Sequence, residues 1–115
     1  MPYTLIHHTG CGSSKKGLAL LQENGVEPEV HKYMNKSDML SEDELRDIAR
    51  KMGNVSPRVF LREKDALKLG LSDTASDNEV FTAMACDPRL IQRPIGINGQ
   101  KAVLGRPNEL LLDII

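Results

Sequence analysis

The sequence predicts an α/β fold on a mixed four-stranded sheet, and three observations carry that expectation. A short β-favouring run, a helical run and a second β-favouring run open the chain, as in a right-handed βαβ unit. Segments with helical apolar spacing fill the middle. A hairpin signal followed by one more helical segment closes it.

Tyr3 to Ile6 is short and β-favouring, and from Gly12 to Asn24 apolar residues recur at helical spacing. Asn24-Gly25 reads as the C-cap of that helix. After Pro28, the stretch Glu29 to Met34 alternates apolar and polar residues, as a strand does. Ser37 to Leu40 reads as a polar linker. Ser41-Glu42-Asp43-Glu44 matches a capping box, and the helix it opens carries Leu45, Ile48, Ala49 and Met52 on one face before Gly53. Asn54 or Ser56 ahead of Pro57 predicts a helix start running through Val59, Phe60 and Leu61. Ala66 to Leu71 predicts a short apolar turn ending near Gly70. Ser76 to Glu79 opens another helix, which must stop near Asp87-Pro88. Asn98-Gly99 between Ile95-Gly96-Ile97 and Lys101 to Leu104 predicts a hairpin with a type I′ turn. Gly105-Arg106-Pro107 then breaks the strand, and a closing helix is expected over Asn108 to Ile115. The order βαβ, helical insertion, ββα is that of a thioredoxin-like fold.

At 115 residues a single domain, 1–115, is expected, large enough for one core. Apolar residues at 40% and charged residues at 27% fit an ordinary globular chain. A net charge of -1 argues against generic affinity for nucleic acid or an anionic membrane. No apolar run approaches the roughly 20 residues that span a bilayer, and His7 and His8 interrupt the only apolar stretch near the N-terminus. A cytoplasmic protein is expected. The two cysteines, Cys11 and Cys86, are far apart in sequence and have no paired spacing, so neither a disulfide framework nor a metal site is predicted. Cys86, in the apolar run from Val80, reads as a small buried hydrophobe.

Cys11 stands apart. It falls between the first strand and the first helix, where unpaired N–H groups and the positive end of the helix dipole stabilise an anion. That placement lowers a thiol pKa, and the thiolate is the nucleophile. The N–H groups of Gly12, Ser13 and Ser14 would also hold a phosphate-like oxyanion. His8 and His31, by alternation, are expected to face solvent or to pair locally. Arg46, Arg50, Arg58 and Arg89 read as solvated surface charges.

Five segments, in order along the chain, carry a resemblance: His7-x-x-x-Cys11-Gly12-Ser13-Ser14, Phe60-Leu61-Arg62, Leu90-Ile91-Gln92-Arg93-Pro94-Ile95, Gly105-Arg106-Pro107 and Leu111-Leu112-Asp113-Ile114. With them the chain resembles the short members of the glutaredoxin-coupled arsenate reductase (ArsC-like) family. The resemblance implies Cys11 as the nucleophile that attacks arsenate, and Arg62, Arg93 and Arg106 as the arginines around the oxyanion. It puts His7 at the family histidine and Pro94 at the superfamily's cis proline. It further implies glutathione as co-substrate and glutaredoxin as partner, with no bound cofactor. Ser14 stands where related redox regulators of the Spx type carry a second cysteine. Two alternatives accompany the reductase reading: an Spx-type regulator that binds RNA polymerase, and a glutathione-linked thiol-disulfide oxidoreductase without arsenate activity.

Overall fold

Alternation along the first strand fixes the two faces of the sheet. The structure, a computed structural model, describes residues 3–115. In β1 (Tyr3–Ile6), Tyr3 and Leu5 point to one side and Ile6 to the other. Each side meets its own apolar cluster. Tyr3, Leu5, Leu21 and Leu111 form the smaller one; Ile6 joins the larger one with Tyr33, Leu45, Phe60, Met84 and Ile95 among others.

The sheet has four strands in the order β2-β1-β3-β4. β1 runs parallel to β2 (Glu29–His31) and antiparallel to β3 (Ile95–Asn98), which pairs antiparallel with β4 (Lys101–Leu104). This is the expected mixed sheet of a thioredoxin-like fold. The helix α1 (Gly12–Glu23) connects β1 to β2 and buries Ser14, Gly17 and Leu21. α2 (Glu42–Lys51) and α4 (Asp77–Cys86) begin at complete capping boxes, Ser41 with Glu44 and Ser76 with Glu79, because each serine oxygen accepts the orphan N–H three residues on. α2 buries Leu45, Ile48 and Ala49 at helical spacing.

Several expectations are corrected. β2 ends at His31 rather than Met34, since the chain turns at once: the Tyr33 N–H donates to the His31 carbonyl at 3.0 Å and sinks the ring fully into the core. The Ser37 to Leu40 linker holds a 3-10 turn, Lys36–Asp38. The segment after Ser56 is also a 3-10 turn, Pro57–Phe60, and Leu61 leaves it to bridge Ile91. The predicted apolar turn is a true helix that starts earlier, α3 (Glu63–Lys68). A 3-10 turn over Pro88–Leu90 was not foreseen, and the closing helix is 3-10 throughout, Asn108–Ile114. In the hairpin Asn98 pairs with Lys101, so the loop residues are Gly99 and Gln100. Only Gly99 has positive φ, at 63°, which is the pattern of a type II′ turn and not type I′.

Candidate active site

Strand direction gathers the site at one end of the sheet. The C-terminal end of β1 lies beside the N-terminal end of β3 (Ile6 opposite Ile95), and the C-terminal end of β4 lies there too (Leu104 opposite Ile95). The loop after β1 carries Cys11, the segment before β3 carries Arg93, and the turn after β4 carries Arg106. β2 ends at the same rim, so Tyr33 follows there. Arg62 arrives by a separate zipper: its N–H donates to the Leu90 carbonyl at 2.7 Å, and the Gln92 N–H donates to the Phe60 carbonyl at 2.8 Å. The sequence-predicted cysteine and the arginines thus converge from segments that are distant in the chain.

Cys11 is the N-cap residue of α1, with extended backbone and a half-buried side chain. Burial pushes its thiol pKa up, but the N–H groups of Ser14 and Ser13 and the Arg93 guanidinium outweigh this and hold it below the ordinary thiol value. An Arg106 terminal nitrogen stands 3.9 Å from the sulfur, while its Nε donates to the Arg93 carbonyl at 2.9 Å. Arg62 is turned by Asp65, whose carboxylate accepts from its Nε at 2.7 Å. Arg62 and Arg106 line one cleft of about 320 Å3 together with Leu61 and Gln92. The Nε of Arg93 is buried without a hydrogen-bond partner. A buried guanidinium N–H left unpaired is costly unless something accepts from it, and an oxyanion would.

Other residues fall differently. Ser14 is fully buried and spends its hydroxyl on the His8 N–H at 3.2 Å rather than on capping the helix. His7 is 5% exposed with Nδ1 unpartnered. Burial first, then the charges of His8, Lys32 and Lys15, lower its pKa, so it is neutral at neutral pH and supplies no positive charge to the thiolate. His8 pairs locally, its Nδ1 accepting from the Gly10 N–H at 3.4 Å, and burial and the nearby Arg93 and Arg62 charges lower its pKa. His31 pairs locally, with Nε2 at 2.6 Å from the Asp38 carbonyl. Cys86 is exposed, contrary to the buried reading, because it ends α4 where the helix leaves the core. Arg58 is more than a solvated charge: it holds the Ser72 and Ala75 carbonyls and Glu63.

Pro94 is buried, and the Arg93–Pro94 peptide bond is cis, as is Arg106–Pro107. A Cβ on Gly17 would lie 2.9 Å from Pro94, so α1 approaches the proline ring closely only because that position is glycine. Two residues at the site carried no signal in the sequence. Tyr33 is completely buried, donates to the Ile91 carbonyl at 3.2 Å, and lies within the fields of Arg93, Arg62 and Cys11. Asn108 reaches from the closing turn to Ser13. Among the described residues no helix is long and apolar enough to cross a membrane, and no group of His, Cys, Asp or Glu is placed to hold a metal ion.

The family model of the ArsC family matches residues 6–114. An arsenate reductase of Haemophilus influenzae is 39% identical over 118 residues, spanning 100% of both chains. An arsenate reductase of Neisseria meningitidis is 41% identical over 108 residues, 91% of each chain. Among solved structures, an arsenate reductase from Vibrio cholerae is similar with a TM-score of 0.86 at 34% identity, over 100% of this chain and 98% of that one.

Proposed function

The chain belongs to the ArsC family, and from that premise we propose that it is a thiol-dependent reductase of arsenate or a closely related oxyanion. The observation that supports this most is the half-buried Cys11 sulfur at the start of α1, with Arg106 3.9 Å away and the Arg93 guanidinium near enough to lower its pKa, the Nε of Arg93 being buried and unpaired. A thiolate and a dianion repel each other. Guanidinium groups from separate segments and the N–H groups of Gly12, Ser13 and Ser14 lower that barrier by neutralising the oxygens before attack.

In the first step the Cys11 thiolate attacks As(V). An S–As bond forms, and an arsenate oxygen leaves as water after protonation. In the second, an external thiolate attacks the Cys11 sulfur. An S–S bond forms, and the electron pair of the S–As bond leaves with arsenic as As(III). The two electrons come from the two thiols. Glutathione fits the role of external thiol, and glutaredoxin that of the protein which then reduces the mixed disulfide. Ser14 cannot resolve Cys11 internally, since it is a serine engaged with the His8 N–H.

The test is arsenate-dependent NADPH oxidation with glutathione, glutaredoxin and glutathione reductase, comparing wild type with Cys11→Ser. Turnover that disappears in the variant supports the reading. No arsenate-dependent turnover in the wild type overturns it and leaves another electrophile or a protein target such as RNA polymerase.

A further inference from the structure

The two halves of the thiolate's surroundings come from opposite ends of the chain and are not covalently near each other. One half is the first turn of α1, whose Ser13 and Ser14 N–H groups face the sulfur. The other is the turn after β4, which aims Arg106 at it. The Asn108 side chain ties the two by hydrogen bonds. The Asn108 amide nitrogen donates to the Ser13 carbonyl at 3.1 Å and to the Gly105 carbonyl at 2.9 Å, with the Ser13 hydroxyl at 3.4 Å. Both main partners are carbonyl oxygens, so chemistry alone requires the nitrogen, not the oxygen, of the amide to face them. The side chain is half-buried and lies 95 positions from Ser13 along the chain. It is therefore a long-range tie and not a local turn motif.

We propose that Asn108 is a positioning residue for Cys11, clamping the first turn of α1 to the Gly105–Arg106 turn and so fixing how closely N–H groups and guanidinium approach the sulfur. This deepens the reading of Cys11 as a nucleophile. The amide nitrogen finds acceptors on both segments, so its hydrogens are best satisfied while the two segments stay in register. Loss of the clamp lets Ser13 and Arg106 drift apart, and the anionic sulfur loses stabilisation from both. Arg93 approaches from the β3 side and is not held by Asn108. Arg62, His8 and the Tyr33 hydroxyl belong to other segments again, so the effect of removing the clamp is partial.

The experiment is alkylation of Cys11 by iodoacetamide across pH, in a Cys86→Ser background so that one thiol reports, with thermal unfolding measured alongside. It uses no arsenate, so its outcome is separate from that of the reductase reading. In Asn108→Ala the midpoint of the rate profile rises, and the rate at about pH 6.5 falls about fivefold, the factor of one ordinary hydrogen bond. Asn108→Asp moves the midpoint further, because a carboxylate cannot donate to the two carbonyls and adds negative charge. A lowered unfolding temperature with an unmoved midpoint would mean a merely structural role and overturn the proposal. If Asn108→Ala does not fold, Asn108→Ser, which keeps one hydroxyl donor, is read on the same profile. A midpoint above wild type supports the clamp, and one equal to wild type overturns it.

Discussion

At the scale of single residues, opposing influences on one sulfur decide the chemistry. Burial opposes ionisation of Cys11, while the Ser14 and Ser13 N–H groups and Arg93 favour it, and the second set wins. Only the thiolate attacks, so a lowered pKa means more nucleophile at neutral pH. The alkylation rate of Cys11 is therefore expected to rise with pH through a midpoint below the 9.0 of an ordinary thiol. Arg93→Ala should raise that midpoint and cut the rate at neutral pH by about tenfold, the equivalent of one pKa unit. It should also remove saturation by arsenate while leaving thermal unfolding nearly unchanged. A profile indistinguishable from wild type would discard Arg93 as a partner of the sulfur. Cys11 was singled out in the sequence by its place between a strand and a helix start, whereas Arg62, Arg93 and Arg106 were singled out only through the family resemblance, since an arginine by itself reads as a surface charge. Tyr33 and Asn108 were not, because a tyrosine in a strand-like run and an asparagine after a proline have local explanations. Their roles arise from contacts across the fold, with Ile91 and with Ser13.

Elements were legible where a side chain closes its own backbone. Ser41 with Glu44 and Ser76 with Glu79 are such cases, since both partners lie within one turn. The 3-10 segments were not, because the difference between i→i+3 and i→i+4 bonding is set by what packs above, not by periodicity. The hairpin turn failed for a related reason: Asn98 is held in β3 by donating to the Ile114 carbonyl at 2.6 Å, which moves the loop on by one residue. Gly96 shows how a strand glycine reports an approach from outside its own strand. A Cβ there would run into the Tyr3 side chain and lie 3.0 Å from Leu111. Gly96→Ala should destabilise the protein by about 1–3 kcal/mol in urea unfolding, the usual cost of overpacking. Gly12→Ala is the contrast, because a Cβ there meets nothing within 4 Å. It should be neutral or slightly stabilising at the start of α1. Equal effects from the two would show that space, not helix or strand propensity, had been misjudged.

For the whole molecule, the two clusters on either side of the sheet do different work. The larger one takes in α2 and α4 together with Tyr33, Phe60, Leu61 and Leu90 on the Arg62 side of the site, whereas the smaller one joins β1, α1 and the closing turn. Leu111 is its keystone: fully buried, it accepts the Tyr3 hydroxyl at its carbonyl at 2.7 Å, and a Cβ on Gly17 or Gly105 would come within 2.9 Å of its side chain. It therefore seats the closing turn, which bears Asn108, against α1 and the end of β4, which bear Cys11 and Arg106. Leu45 is equally buried but sits on α2 in the other cluster. Leu111→Ala and Leu45→Ala should each cost about 2–5 kcal/mol of stability, as buried leucine truncations do. Their effects on the site should diverge. Under conditions where both variants remain folded, Leu111→Ala should raise the Cys11 alkylation midpoint, and Leu45→Ala should leave it in place. Parallel shifts in both would mean that reactivity follows global stability. A shift in Leu111→Ala alone would mean that the smaller cluster serves the thiol as well as the fold, because the elements it joins are the ones that surround the sulfur.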